Sequence, residues 1–481
     1  MSLRYNPGRV GFIALALASA VIVAACDQVK DNLLEATDPD VIDPSAVQSS
    51  AGATAVKNGA LSRLRTATAD GESSWLFGGL LVDEYASSST FVQNDETDQR
   101  TIQLNNSTVT STLRQLYRVR TAANQAIGLL NTYKKDPDED IGEMYFARGF
   151  AELQLASDFC NGIPLSDGTT GTLGKPLSVD SVFKVAAASF DTAMQHSTGT
   201  GANAVLINRA ARVGRARALL GISLANAPAA AALVTAIPTN FRYDVTASLT
   251  GGNNTLWDQP ISQNRYIVSD SIQKNDRSIT VKNAIPFYSA KDPRVPAHFK
   301  IASNGKDTIK AQDGGTFVLE ADTLFGQTSA VALTSGIDAR LIEAEAALAA
   351  GNPAGMMTIL NALRASPQLL TAPSPTATGT HPGLTTPVMA ALVDPGTKVG
   401  RENLLFREKA FWTFSRGQRL GDLRRLIRQY GRAADGSDAG GYPIGQHFKG
   451  GNYGVDLQLP VTTAEQIGNP TNFQQCTDRK A

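Results

Sequence analysis

The side chains able to do chemistry are few and scattered. Four histidines, His196, His298, His381 and His447, lie far apart, and none has a metal-ligating partner three or four residues away. Zinc spacing is absent, three cysteines are too few for a cluster, and no metal or other cofactor is expected. The chain has no G-x-S-x-G nucleophile elbow and no G-x-x-x-x-G-K-[ST] phosphate loop. The Gly174-Lys175 pair in "TLGKP" lacks both the upstream glycine and the following hydroxyl. Acids are plentiful, and only their separation in space would distinguish a glycosidase pair. Asp83-Glu84 is expected at a loop edge, and Glu343 and Glu345 on a helix as partners for arginines. Binding, not catalysis, is the expectation.

Cys26 carries a different chemistry. Arg4 and Arg9 precede an apolar stretch from Val10 to Val23, which ends in Ala24-Ala25. A positive start, a short apolar core and small residues describe an export signal over 1-25. The core is shorter than the roughly 20 residues that span a bilayer. Val23-Ala24-Ala25-Cys26 resembles a bacterial lipobox, in which Cys26 becomes the lipidated first residue and the chain's only membrane anchor. With Cys26 lipidated, Cys160 and Cys476 remain as an even pair in an oxidising compartment. A bridge between them would close a loop of about 315 residues, worth roughly 4 to 5 kcal/mol in the chain-entropy view.

Composition sets the frame for what must position these groups. Hydrophobic residues at 42% and charged residues at 18% fit a folded globular chain. Removing 1-25 takes away two arginines and no acid, which leaves 42 basic against 44 acidic groups. Without a basic surface, nucleic acid is not an expected partner. Residues 26-44 are acidic and turn-rich and read as a tether, followed by one domain over 45-481.

Within that domain the apolar period is helical over most of the length. Helices are expected from about Ser45 to Leu64, from Thr110 to Tyr133, and in "IGEMYFARGFAELQLASDF", which Asn161-Gly162 and Pro164 stop. "SVFKVAAASFDTAMQH" and "NRAARVGRARALLGISLANA" are helices whose small residues permit close approach. "GIDARLIEAEAALAAGN" and "AGMMTILNALRAS" follow, and "ENLLFREKAFWTFSRGQRLGDLRRLIRQYGR" is the longest helical signal. Between them, "VDEYASSSTFVQNDETDQR" reads as a loop, 240-330 as an irregular insertion with a few short strands, and 367-387 as a Pro/Thr/Gly-rich loop. The class is mainly α. Pairs of about 34 residues suggest a tetratricopeptide-like repeat scaffold, which stacks into a binding surface.

Several motifs then fall in a recognisable order. "RENLLFREKAFWTFSRGQRLGDLRRLIR" resembles the C-terminal signature of the SusD/RagB family of outer-membrane nutrient-binding lipoproteins, with Arg407, Glu408, Gly417, Arg419, Asp422, Leu423 and Arg425 in the corresponding places. Arg416 stands where many members carry an acid. The lipobox, "SDFCNGIPLSD", "KDPR" at Lys291 to Arg294, the "EAEAALAAGN" helix and the closing "LQLPVTTAEQIGNP" agree in order. The resemblance implies an α-helical scaffold with four tetratricopeptide-like pairs and a loop-rich, irregular ligand-binding face. It also implies a lipid-anchored, non-enzymatic protein of the outer membrane, facing the cell surface. Such a protein binds oligosaccharide or peptide and closes as a lid over a TonB-dependent, SusC-like barrel transporter.

No family motif marks the ligand residues. Sugar rings stack their C–H faces on aromatics and are framed by amide and carboxyl hydrogen bonds. Loop aromatics are therefore the candidates: Trp75, Tyr85, Phe91, Trp257 and Tyr266, with Asn94, Asp95 and Arg100 as polar partners. The signature residues themselves are expected to hold the fold together. The competing reading is a periplasm-facing helical-repeat scaffold that organises other envelope proteins.

Overall fold

The computed structural model describes residues 47-70, 73-474 and 476. The export signal, Cys26 and the whole tether lie outside the described residues. The principal helices are α1 (Ser50–Ala69), α2 (Ser74–Leu81), α3 (Val92–Asp98), α4 (Ser107–Tyr133), α5 (Asp138–Asp158) and α6 (Val179–Gln195). They continue with α7 (Ala202–Ile222), α8 (Ala227–Val234), α9 (Gly336–Ala349), α10 (Pro353–Arg364), α11 (Lys398–Trp412) and α12 (Arg419–Tyr430). No helix among the described residues is long and apolar enough to cross a membrane.

The starts of these helices are written in the sequence. Ser49, Ser73, Asn106, Ser178 and Thr397 each accept a hydrogen bond from a first-turn amide, and Ser335 with Asp338 forms a capping box. Helix α1 packs on α4, and each of α4 to α9 then packs on the next helix in sequence, ending with α10. From α4 to α10 each helix mainly meets its neighbours, which is how tetratricopeptide-like pairs bury faces they cannot bury alone. Glycines set the closeness of approach. A methyl at Gly214 would lie 2.4 Å from the Phe190 ring, and one at Gly149 would lie 3.1 Å from the same ring.

The insertion leaves and re-enters the scaffold through one narrow neck. Strand β2 (Arg242–Val245) pairs antiparallel with β4 (Val331–Ser335), so residues 246-330 emerge from a two-stranded ladder. Inside it, β3 (Tyr266–Val268) pairs with β1 (Tyr85–Ser87) in the register Tyr85↔Val268, Ala86↔Ile267, Ser87↔Tyr266. The insertion is thereby stitched to the segment after α2. That segment corrects the loop expected over 82-100, because it holds β1 and α3. Residues 367-387 also fold into two small hairpins, Leu369–Thr371 with Leu384–Thr385 and Ser374–Thr376 with Gly379–His381.

The long C-terminal helical signal is two helices, not one. Ser415 (φ 61°) and Gly417 (φ 61°) turn the chain between α11 and α12. Trp75 lies so close to Gly417 that an added Cβ would come within 2.0 Å of its Cδ1, and the Gly417 carbonyl accepts from Gln154 Nε2 at 3.0 Å. Only glycine fits that contact and that backbone angle together.

Motifs that are distant in sequence meet in pairs. Arg294 of "KDPR" is fully buried, donates to both oxygens of Glu408 (2.6 and 3.0 Å) and to both of Asp292 (2.8 and 2.7 Å), and lies over the Trp412 ring at 4.8 Å. This pins the insertion to α11. "SDFC" meets "LQLPV" likewise: the Leu459 amide donates to the Asp158 carbonyl (2.8 Å), and the Cys160 amide donates to the Leu459 carbonyl (3.0 Å). A Cys160–Cys476 disulfide, with Cα atoms 5.7 Å apart, closes the same joint. Glu345 on α9 accepts from Lys409 (3.0 Å), Tyr430 (2.7 Å) and Arg425. Lys409 is also the nearest partner of Asp422, at 2.6 Å, closer than Arg425 at 3.6 Å. Arg416, where an acid was expected from the resemblance, pairs with Asp338 at 2.6 Å and so secures the capping box of α9.

Candidate functional site

Five of the eight expected ligand residues lie inside the molecule. Trp75 sits on α2 at 0% exposure, edge-on to Phe150, with Nε1 3.4 Å from Gln154 Oε1. The Tyr85 hydroxyl meets Ser415 Oγ at 2.7 Å, and the Tyr266 hydroxyl accepts from Asn94 Nδ2 at 2.9 Å. Arg100 lies over the Tyr442 ring and donates to the Pro443 and Asp456 carbonyls at 2.7 and 2.8 Å. All five are core residues here and present no face to a ligand. For Tyr85, Asn94, Arg100 and Tyr266 the cause is the β1–β3 pairing and α3, which bring polar, loop-like stretches into the core, whereas Trp75 is buried with the apolar residues of α2.

Phe91, Asp95 and Trp257 remain accessible, and Phe91 marks a built surface. Its ring is 42% exposed and carries the Arg265 guanidinium at 4.8 Å from the ring centre. Around it, Ser89 Oγ donates to Gln312 Oε1 at 3.4 Å, and Ser88 Oγ donates to the Asn264 carbonyl at 3.0 Å. Lys449 Nζ donates to Asp95 Oδ1 at 2.6 Å and to the Ser89 carbonyl at 3.1 Å. Asp313 lies 3.6 Å from the same amine. Burial would raise the Asp313 carboxyl, but hydrogen bonds from Thr316 and Gly315, with Lys449 nearby, hold it below its ordinary value. Three segments that are far apart in sequence thus converge on one open aromatic ring with charged and amide groups of both polarities. Trp257 stands apart, half-buried in a single helical turn capped by Asn254.

Arg265, Gln312 and Lys449 were missed by sequence reasoning. Arg265 adjoins Tyr266 in the polar insertion, a weak signal, and Lys449 lies in what reads as a glycine-rich tail. Nothing local in the sequence marks either as a neighbour of Phe91.

The buried acids need a separate account. Asp83 and Glu84, expected at a loop edge, are 0% and 1% exposed in the turn between α2 and β1. Burial, reinforced by the Asp98 carboxylate, pushes Asp83 up to about 8, although the Tyr453 hydroxyl donates to it at 2.9 Å. Burial likewise pushes Glu84 up to about 8, only partly offset by Arg419 and the Ser415 amide. Two carboxyls held protonated at neutral pH are not a catalytic pair when solvent cannot reach them. They let polar side chains occupy a dry joint without an uncompensated charge.

A larger open cleft, about 430 Å³, lies between α1, α5 and β2 and includes Arg65, Glu143, Tyr243 and Asp244. Its polar groups are engaged internally, as where the Tyr243 hydroxyl donates to Glu143 at 2.8 Å and Arg65 to the Gly251 carbonyl at 2.7 Å. The Phe91 face is the better candidate because it presents an aromatic side chain that is 42% exposed.

The architecture so far defines a stack of helical hairpins that carries an irregular polar face. Solved structures of this kind are similar to the chain over nearly its whole length. A SusD superfamily protein from Bacteroides thetaiotaomicron VPI-5482 is 15% identical with a TM-score of 0.58, covering 89% of this chain and 98% of that one. A SusD-like carbohydrate binding protein from Bacteroides fragilis NCTC 9343 is 13% identical with a TM-score of 0.61, covering 89% and 100%. Bacteroides fragilis NanU is 13% identical with a TM-score of 0.56, covering 90% and 99%. No family model and no curated protein matches the chain. The chain has the SusD fold.

Proposed function

We propose that this chain is a non-enzymatic, nutrient-binding lipoprotein of the SusD/RagB family. It is anchored through Cys26 at the cell surface and binds oligosaccharide first, peptide second, on the Phe91 face. It delivers that cargo to a TonB-dependent, SusC-like barrel, over which it closes as a lid. The observation that carries the reading is the open Phe91 ring with Arg265 across it, flanked by Asp95, Gln312 and Lys449, on a SusD-fold scaffold. A sugar ring stacks on such an aromatic through its C–H face while carboxylate, amide and ammonium groups order its hydroxyls. Trp257 serves as a second aromatic contact for a longer glycan. The carbohydrate-binding description of the similar B. fragilis structure supports oligosaccharide over peptide.

The test is thermal unfolding of the purified chain against a panel of glycans and peptides. A ligand at 100 times its dissociation constant adds about 2.7 kcal/mol and raises the melting temperature by a few degrees. A rise confined to one glycan class is expected, and a rise with peptides alone would move the chain to the peptide-binding branch. Digestion by protease added to intact cells is the matching test of surface exposure, and survival there would favour a periplasmic scaffold.

A further inference from the structure

Sequence spacing offers no metal site, yet strand pairing assembles one. His298 and Glu320 are direct partners in the antiparallel pair His298–Phe299 with Leu319–Glu320, and Asp322 follows two residues on. We propose that His298, Glu320 and Asp322 bind a divalent cation of the zinc class.

The donor atoms are already close to the required geometry. His298 Nε2 lies 3.8 Å from Glu320 Oε1 and 3.7 Å from Asp322 Oδ1, and the three donor atoms fall within 4.8 Å of one another. With bonds of about 2.0 to 2.2 Å, tetrahedral ligand atoms sit roughly 3.4 Å apart, so the imidazole must close on each carboxylate by a few tenths of an ångström and the two carboxylates on each other by at most about 1.4 Å. Each carboxylate also keeps one oxygen without a well-directed hydrogen bond. Glu320, with only 5% of its side chain exposed, has an Oε2 atom that receives no hydrogen bond, as does Asp322 Oδ1. Lys300 Nζ pairs with that Glu320 oxygen at 2.9 Å while donating to the Ile261 carbonyl (2.6 Å) and Asn264 Oδ1 (3.1 Å). One lysine therefore stands against two acids. The Asp322 main chain is held by His381, whose ring nitrogen lies 2.9 Å from its carbonyl oxygen.

The donor set selects the ion. Imidazole with two carboxylates suits zinc and its neighbours, whereas calcium takes six to eight oxygens and gains little from a nitrogen. His298, with 49% of its side chain exposed, gives the ion a path in, and three protein ligands leave a position open for water or a ligand oxygen.

Isothermal titration of ZnCl2 into the chelator-treated full-length chain tests this. One zinc per chain is expected, with a raised melting temperature. His298→Ala should weaken binding by more than the roughly 10- to 100-fold typical of losing a mere orienting partner. Asp322→Asn should weaken it too, while His196→Ala should leave it unchanged. Both site variants should match the parent chain in metal-free melting temperature, and His298→Gln replaces His298→Ala where it does not. No saturable zinc binding, equal binding by the His298 variants, or calcium bound as tightly as zinc would each overturn the assignment.

Discussion

Two buried clusters of charge-bearing residues in this molecule are stabilised by opposite means. Where α9, α11 and α12 meet, the buried acids have cations. Glu345 holds Arg425 and Lys409, and Glu408 holds Arg294 and Arg364. Burial alone would raise Glu345, but Arg425 and Lys409 outweigh it and hold its carboxyl well below the usual range. At the joint between α2 and β1, Asp83 and Glu84 find no cation within ion-pair distance among the described residues and keep their protons instead, each pushed up to about 8. The first arrangement locks helices to one another. The second packs the scaffold against the loop-rich face, and its stability depends on pH.

The most disruptive test removes the pairing outright. Arg294→Met leaves Asp292 and Glu408 buried without their main cation and should cost about 3–5 kcal/mol in urea unfolding. A loss under about 1 kcal/mol would mean that Arg364 and water replace it.

The pH dependence of stability sharpens the contrast. Glu345 has a depressed folded pKa, so its contribution is present above about pH 4.5 and is lost as pH falls toward the folded value. Asp83 and Glu84 have raised folded values, so their contribution is full below about pH 4 and is lost as pH rises through 8. Stability should therefore pass through a maximum at mildly acidic pH. Asp83→Asn should flatten the alkaline limb, gaining on the order of 3–4 kcal/mol at pH 8 relative to pH 5. Glu345→Gln should flatten the acid limb and lower stability at pH 7. Identical pH profiles for the two variants would erase the distinction between the clusters.

The smallest effect on stability belongs to the open face. Phe91→Ala removes a ring that is 42% exposed and should change unfolding by no more than about 0.5 kcal/mol.

The same contrast explains how much the sequence disclosed. Helical apolar spacing, small-residue contacts and the motifs that include Arg294, Glu408 and Cys160 were legible, because local spacing or an ordered set of motifs encodes them. Even there, the turn at Ser415–Gly417 was hidden, since the neighbour that dictates it is Trp75, over 300 residues earlier. The face was scarcely legible. Phe91, Arg265 and Lys449 meet only through the β1–β3 pairing and the return of the C-terminal segment. A stretch rich in Ser, Asn and Asp reads as solvent-exposed until a strand pairs with it, which is why Tyr85, Asn94 and Arg100 were expected on the surface. His298, Glu320 and Asp322 were missed for the same reason, as strand pairing has no signature in spacing.

The most direct measurement is ligand-dependent unfolding of the parent chain beside Phe91→Ala, with whichever glycan stabilises the parent. The expected result is the same melting temperature for both without ligand, and a rise of a few degrees with glycan in the parent only. An undiminished rise in Phe91→Ala would place the binding site elsewhere, with the cleft at Arg65 and Tyr243 next to be tested.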